Sequence, residues 1–153
     1  MDSASRDRLA QVLSAPGHPL EVREAAAVEL AEAGDRRAFE TLALLLNYRD
    51  EARAHQAAKA LLRLGDPRTG RAAAALATNP LRVAYALPAI GLLVELRAPE
   101  AVPALSETLA RLRAQPGPAH ERVARACAEG LEILGAGAAD GPGPGRGEAP
   151  AER

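Results

Sequence analysis

Aromatic side chains are almost absent from this chain of 153 residues. The sequence contains Phe39, Tyr48 and Tyr85 and no tryptophan. Because aromatic rings usually supply much of the buried area of a core, the core here must be built from alanine and aliphatic side chains that pack closely. The shortage also argues against a protein that binds single-stranded nucleic acid, since such proteins stack bases on aromatic platforms.

An excess of charge of either sign is also missing. Nineteen basic residues stand against twenty acidic ones, which gives a net charge of −1 at pH 7. Such a balance lacks the positive field with which non-specific nucleic-acid binders attract phosphates, so nucleic acid is disfavoured as a partner. Lys59 is the only lysine among the basic residues, and this dominance of arginine points to the coding bias of a GC-rich, bacterial genome.

Three further absences bear on where the protein works. Cys127 is the only cysteine, so no internal disulfide can form and a reducing compartment is expected. No stretch reaches the roughly 18 consecutive apolar residues of a membrane span, and the polar N-terminal segment lacks the apolar core of a signal peptide. We therefore expect a cytoplasmic protein that makes no membrane contact.

What the sequence does contain is a phrase that returns about every 31 residues. It reads VREAAAVELAEAGDRRAFETL from Val22 and RAHQAAKALLRLGDPRTGRAAAAL from Arg53, and weaker copies begin at Tyr85 and Val123. The equivalent junctions inside the four copies are Gly34-Asp35, Gly65-Asp66, Arg97-Ala98 and Gly135-Ala136. A period of this length is typical of solenoids, in which each unit buries its apolar face only by stacking on its neighbours. The sequence therefore predicts an all-α fold, a right-handed α-solenoid of about four helical hairpins and eight helices.

Capping and breaking residues delimit the eight predicted helices. Their approximate bounds are 3–14, 20–33, 36–46, 51–64, 67–77, 80–96, 99–113 and 119–134. Ser3 or Ser5 is expected to cap the first helix, and Asp35 to cap the third. Gly34 is expected to end the second helix in the left-handed conformation, as glycine commonly does.

Two segments depart from this regular pattern. Pro88 lies inside the sixth predicted helix, where a proline removes a hydrogen bond and costs about 3 kcal/mol. We expect a kink there, the alternative being two short helices that meet at Leu87. Beyond the repeat domain, residues 1–135, no apolar periodicity remains, and residues 136–153 are expected to form a disordered Gly/Pro-rich tail. The first and last helices are polar on their outer faces, so we expect a complete, capped module.

The repeats resemble HEAT-type repeats, specifically the short variety named after phycobilisome lyases. The residues that carry the resemblance are Val22-Arg23, Ala26-Ala27, Leu30 and Gly34-Asp35, then Ala57-Ala58, Leu61, Leu64 and Gly65-Asp66-Pro67-Arg68, and finally Ala101-Val102-Pro103-Ala104-Leu105. The resemblance covers about residues 18–135. It implies an armadillo-type superhelix and says little about function, because this repeat serves many unrelated roles.

The sequence matches the enzymatic branches of the HEAT-repeat family poorly. One branch holds two iron ions through His-Glu pairs at a fixed repeat position. In this chain only His55 matches that position, and the residue after it is Gln56 instead of a glutamate. A di-iron site needs several converging carboxylates and imidazoles, so no metal and no cofactor is expected. Cys127 takes a position that is alanine in other copies and is expected to be buried rather than catalytic. We expect no enzyme, with a chromophore-lyase-like activity, another HEAT-type enzyme or a nucleic-acid binder as the alternatives.

The resemblance implies that the second helix of each hairpin lines a concave surface. Aligned by the repeat, the positions predicted to point outward are Arg37, Arg68 and Glu100, then Glu40, Arg71 and Pro103, then Leu44, Ala75 and Glu107, and last Tyr48, Asn79 and Arg111. Leu44 and Tyr48 are apolar side chains in this set and have arginines beside them. Arginine next to exposed leucine and tyrosine is typical of a protein-binding hot spot. The predicted partner-binding residues are Arg37, Leu44, Tyr48, Arg68, Arg71 and Arg111. The sequence thus predicts a non-catalytic scaffold that binds a protein or an acidic peptide. The alternatives are ordinary solvated arginines with salt bridges to Glu40 or Asp35, packing of Leu44 and Tyr48 against the adjacent loop, and self-association.

Overall fold

A computed structural model describes residues 1–135. All the secondary-structure elements in this range are helices, joined by short loops and turns. The predicted tail, residues 136–153, lies outside the described residues. The α-helices are α1 Ser3–Ser14, α2 Leu20–Glu32, α3 Phe39–Leu46, α4 Glu51–Leu64, α5 Thr69–Ala77, α6 Leu87–Leu96, α7 Ala101–Arg113 and α8 Pro118–Ile133. Two short 3₁₀ helices, Arg36–Ala38 and Pro80–Tyr85, precede α3 and α6. The all-α class is confirmed, and within the described range no helix has the length and apolar character needed to cross a bilayer.

The four copies of the repeat share one backbone feature, a left-handed residue at the equivalent junction. The φ angles are +74° at Gly34, +68° at Gly65, +47° at Arg97 and +79° at Gly135. Glycine adopts this conformation without the steric penalty that a Cβ atom brings, and the prediction for Gly34 is confirmed. Arg97 has a Cβ atom and adopts this conformation despite the steric penalty. Within residues 1–135 it is the only residue other than glycine with a positive φ.

The hydrogen bonds at the Arg97 junction explain why a non-glycine residue adopts this conformation. The Ala98 amide donates to the carbonyl of Leu93 at 3.2 Å, and the Asp35 amide donates to Leu30 in the same way at 2.9 Å. These bonds close the turn that satisfies free carbonyls at a helix C-terminus. The periodic phrase therefore encodes a periodic turn, even where its glycine has been lost.

Side-chain caps begin the helices largely where the sequence predicts them. The Asp35 carboxylate accepts a hydrogen bond from the Arg37 amide at 3.0 Å, and the Asp66 carboxylate accepts one from the Arg68 amide at 2.8 Å. The prediction for α1 is wrong, because the N-cap is Asp2, whose Oδ1 accepts from the Ser5 amide at 2.8 Å. A carboxylate also carries the negative charge that the positive end of the helix dipole favours.

Pro88 does not kink a long helix. The 3₁₀ helix Pro80–Tyr85 ends before it, and α6 begins at Leu87, so Pro88 occupies the first turn of α6. A proline in the first turn loses no intrahelical hydrogen bond, because the amides there have no partner within the helix. The expected kink is therefore wrong, and its alternative, two short helices that meet at Leu87, is confirmed.

By its internal contacts the chain divides into two compact units, residues 1–73 and a second unit that begins at Ala74. In the first unit α2 packs on α1, α3 and α4, and α3 packs on α4. In the second unit α6, α7 and α8 all pack on one another. Each unit thus contains a pair of first helices in contact, α2 with α4 and α6 with α8, as expected when helical hairpins stack. The single repeat domain and the solenoid stay predictions.

Leucine and alanine form the cores of both units. Completely or almost completely buried leucines are Leu30, Leu42, Leu45, Leu46 and Leu61 in the first unit and Leu92, Leu93 and Leu105 in the second. In the second unit, Gly130 brings α8 close to its neighbours. A Cβ atom at Gly130 would lie 2.8 Å from Cγ2 of Val94 and 3.1 Å from Cδ1 of Leu105. Such distances show that this contact is available only to a residue without a side chain.

Candidate functional site

The outward positions predicted for the second helices are mostly exposed. In the first two full copies of the repeat, the exposed set comprises Arg37, Glu40 and Leu44, then Arg68, Arg71 and Ala75. Residues three or four positions apart share one face of a helix, so each copy presents a short exposed row. In the second unit Pro103 and Glu107 are exposed, whereas Arg111 is half-buried.

Leu44 and Tyr48 supply the apolar part of the predicted site. Leu44 is 66% exposed on α3, and Tyr48 is 38% exposed just beyond the C-terminus of that helix. The other leucines of α3, Leu42, Leu45 and Leu46, are buried. The guanidinium carbon of Arg53 lies 6.0 Å from the centroid of the Tyr48 ring, at the outer limit of a cation–π contact. Leu44 is therefore too open to be a residue packed under a loop.

Two of the predicted arginines are held by the aspartates that cap their own helices. Arg37 donates from Nη2 to Oδ2 of Asp35 at 2.7 Å and from Nε to Oδ1 at 3.0 Å. Arg68 makes the same fork with Asp66, with distances of 2.8 Å and 3.0 Å. The hydrogen bonds from these guanidinium groups hold the pKa of both carboxyl groups below the usual value, against the opposing effect of burial.

Each of these arginines also reaches a second element of the first unit. Arg37 donates from Nη1 to Oδ1 of Asp7 on α1 at 3.0 Å. The guanidinium of Arg68 lies over the ring of Phe39, 4.2 Å from its centroid, which places the start of α5 beside the start of α3. Both side chains remain about half exposed, at 49% and 54%. Their position is therefore fixed from within the protein, although about half of each side chain remains exposed.

Arg71 and Arg111 have contrasting surroundings. Arg71 is exposed on α5, and its side chain makes no hydrogen bond or ion pair with any other described residue. Arg111 donates from Nη1 to the carbonyl of Thr78 at 3.1 Å, while its Nε and Nη2 atoms are buried without a hydrogen-bond partner in the described part of the chain. Of the six predicted residues, Arg71 thus has the least compensated charge, and Arg111 is the least accessible.

The groups that could carry nucleophilic or metal chemistry are not assembled within residues 1–135. Cys127 is completely buried, as predicted. Burial raises the pKa of its thiol to about 11, slightly offset by the charge of Arg111, so the thiol is protonated at neutral pH and poorly nucleophilic. In the same range, no three His, Cys, Asp or Glu side chains converge as ligands for a metal ion.

Two grooves between neighbouring first helices were not predicted. The α2/α4 groove has a volume of about 330 Å³ and is lined by Glu21, Glu24, Ala25, Val28, Glu29 and Gln56. The α6/α8 groove has a volume of about 340 Å³ and an apolar lining that includes Leu87, Ile90, Gly91, Val94 and Ile133, with Glu95 and Glu129 as its charged residues. Both grooves depend on the distance between neighbouring helices, which the sequence does not give directly. The signal that could have indicated a groove is a mid-helix glycine such as Gly91.

Comparison with protein-family models, with curated proteins and with solved structures gives no match for this chain. The resemblance to HEAT-type repeats therefore depends on the residues of the repeat itself and stays a prediction.

Proposed function

We propose that the protein is a non-catalytic, cytoplasmic binding module, built as a right-handed α-solenoid of HEAT-type repeats. Its second-helix rows would hold a partner protein or an acidic peptide. The observation that carries the proposal is the 66% exposure of Leu44, with Tyr48 exposed four residues later. Neighbouring leucine and tyrosine side chains that are surrounded by polar residues are typical of an interaction surface.

The arginines of the same unit support a partner that presents carboxylates. Arg71 has no partner among the described residues, so a carboxylate that approaches it need not displace an internal one. Arg37 contacts two aspartates, Asp7 and Asp35, and its charge is already compensated. We therefore assign the principal contacts to Leu44, Tyr48 and Arg71, and a supporting role to Arg37 and Arg68.

Arg37 and Arg68, which are held by hydrogen bonds to Asp35 and Asp66, would contribute to binding through preorganisation. Because Asp35 and Asp66 hold Arg37 and Arg68 in fixed orientations, these long side chains would lose little conformational entropy when a partner binds. The Nη1 group of Arg68 takes no part in its fork and can donate hydrogen bonds to a partner without breaking it.

The proposal is tested by affinity purification from the cells that produce the protein, followed by mass spectrometry. The baits are the wild type, the Leu44→Ala/Tyr48→Ala double variant and the control Leu81→Ala, which removes a leucine that is 89% exposed in the second unit. We expect a stoichiometric protein to co-purify with the wild type and with Leu81→Ala and to be lost from the double variant. With the purified partner, the dissociation constant should rise at least about tenfold in the double variant, as for a hot spot.

Two results would contradict the proposal. If the same proteins co-purify with all three baits at equal yield, the second-helix surface is not the binding surface. If the purified protein instead carries nucleic acid or a coloured small molecule that survives washing, a nucleic-acid binder or a chromophore-lyase-like protein replaces the scaffold. Circular dichroism of the double variant establishes that its helices are intact, which the exposure of both side chains leads us to expect.

A further inference from the structure

The α6/α8 groove combines an apolar floor with an acidic rim. Ile90 and Gly130 are buried in its floor, while Ile133 is 60% exposed at its edge. Among the described residues that line it, Glu95 from α6 and Glu129 from α8 are the charged ones, and both are exposed. The groove thus offers an aliphatic surface between two carboxylates that come from different helices.

Two glycines produce this shape. A Cβ atom at Gly91 would meet nothing within 4 Å, so the absent side chain leaves open space in the middle of α6. Gly130 does the opposite on α8, because a Cβ atom there would be only 2.8 Å from Val94. The close approach at Gly130 brings α6 and α8 together at the floor, and Gly91 keeps the space above it empty.

Within residues 1–135, no cation pairs with the acidic rim. Neither the Glu95 carboxylate nor the Glu129 carboxylate forms a hydrogen bond or an ion pair with another described residue. Arg97 contacts the groove only from outside its lining, where it donates to the carbonyl of Ile133 at 3.4 Å. Two carboxylates beside an apolar surface attract a ligand of positive charge that also carries apolar groups.

The pair α2 and α4 shows how the same chain neutralises the carboxylate equivalent to Glu95. Glu32 of α2, which takes the place of Glu95 in the repeat, pairs with Arg63 of α4 at 2.8 Å. The residue equivalent to Arg63 in α8 is Ile133, and the residue equivalent to Glu129 in α4 is Lys59. Within residues 1–135, the α6/α8 groove therefore lacks the cations that stand at the same places in the preceding copies.

We propose that the α6/α8 groove binds a basic amphipathic segment of a protein, with an aliphatic side chain between α6 and α8 and a lysine or arginine beside Glu95 and Glu129. A volume of about 340 Å³ is at the small end of the range for ligand pockets, roughly 300–1,000 Å³. The groove is therefore suited to a few side chains of a peptide laid into it, the mode of amphipathic helices in apolar grooves. This site is separate from the Leu44 and Tyr48 surface and does not depend on the function proposed for that surface.

The test uses three synthetic peptides with one helical pattern, composed of leucine and lysine, leucine and glutamate, or serine and lysine. The full chain is labelled with ¹⁵N, and amide chemical shifts are followed during titration with each peptide. We expect saturable shifts at Gly91, Val94 and Gly130 with the leucine–lysine peptide alone. Omitting leucine removes the side chain that fills the groove, and replacing lysine by glutamate reverses the charge.

Variants then assign the two parts of the site. Gly91→Leu fills the open space and should weaken binding of the leucine–lysine peptide at least about tenfold. Glu95→Gln/Glu129→Gln should weaken it about three- to tenfold at low salt, with the difference shrinking at high salt because exposed charges are screened. The matched control Glu21→Gln/Glu29→Gln, which removes two carboxylates from the α2/α4 groove, should bind like the wild type.

Three outcomes would overturn the proposal: no saturable shift up to about millimolar peptide, equal binding of the leucine–glutamate peptide, or wild-type affinity in Gly91→Leu. Thermal unfolding followed by circular dichroism shows whether Gly91→Leu is folded, and the charge variants test the site without changing any buried group. The Leu44→Ala/Tyr48→Ala variant must bind the peptide normally, because its loss of binding would assign the peptide to the other surface.

Discussion

The guanidinium of Arg68 lies 4.2 Å from the centroid of the Phe39 ring, so a charged side chain from the residue just before α5 covers an aromatic ring at the start of α3. Asp66 fixes the orientation of this guanidinium through two hydrogen bonds to its side chain. The cap of one helix thus positions the contact with the preceding second helix. A local motif of the repeat, aspartate followed two residues later by arginine, here also stabilises tertiary structure.

Replacement of Arg68 by lysine should lower the thermal unfolding temperature, even though the charge is kept. An ammonium group cannot form the two-bond fork with Asp66 and cannot stack its plane on Phe39. Differential scanning calorimetry should show a larger decrease for Arg68→Lys than for the control Arg71→Lys, since Arg71 has no partner within residues 1–135. Equal unfolding temperatures for the two variants would show that the fork and the ring contact contribute nothing measurable.

The pH dependence of stability should reveal the two capping aspartates. The pKa values of Asp35 and Asp66 are lowered in the folded protein, so their stabilising effect is present above the ordinary aspartate pKa, about 3.9. It is lost as the pH falls through the lower pKa of the folded state, when the carboxylates become protonated. Urea unfolding between pH 5 and pH 2 should therefore show a decline that is shallower in Asp66→Asn than in the wild type.

Removal of the Asp66 side chain isolates the cap itself. Asp66→Ala leaves the Arg68 amide without its acceptor and should reduce the free energy of unfolding by about 1–2 kcal/mol at pH 7. Asp50→Ala is a useful comparison, because Asp50 caps α4 through the Arg53 amide at 3.2 Å and is exposed. A larger effect at the exposed Asp50 than at the buried Asp66 would contradict the role given to the fork.

The junctions between helices could be predicted from sequence because their structure depends on neighbouring residues. Gly34 precedes Asp35 in a turn whose hydrogen bonds span only a few residues, and such local preferences are strong. Asp2 was missed because it precedes two serines that are also good caps, and composition alone does not rank them. Arg97 has no residue-type signal for a positive φ, and only its alignment with Gly34 indicates the turn.

The features that depend on how elements pack were not predictable in the same way. Arg37 and Arg68 were correctly expected at the surface, but their pairing with Asp35 and Asp66 depends on side-chain orientation as well as spacing. Arg111 was expected to point outward, and its partial burial depends on the position of Thr78. The α6/α8 groove depends on the distance between two helices that are more than 20 residues apart in the sequence.

The buried Cys127 should react slowly with alkylating agents in the native protein. Its pKa of about 11 leaves about one thiol in a thousand ionised at pH 8, and only the thiolate is a strong nucleophile. Mass spectrometry after treatment with iodoacetamide should show little modification in native buffer and complete modification in urea. Rapid labelling of the folded protein would contradict both the burial and the raised pKa, and it would reopen Cys127 as a reactive residue.

The same substitution should have opposite effects at the two helical glycines of the second unit. Gly91→Ala places a methyl group in open space on α6 and should increase the free energy of unfolding by about 0.5–1 kcal/mol, because alanine restricts the unfolded chain. Gly130→Ala should decrease it by about 1–3 kcal/mol, since the methyl group would overlap Val94 and crowd Leu105. Each variant is the control for the other, because helix propensity alone predicts stabilisation at both positions. Chemical denaturation measures the difference, and stabilisation by Gly130→Ala would show that α6 and α8 are not in close contact at that residue.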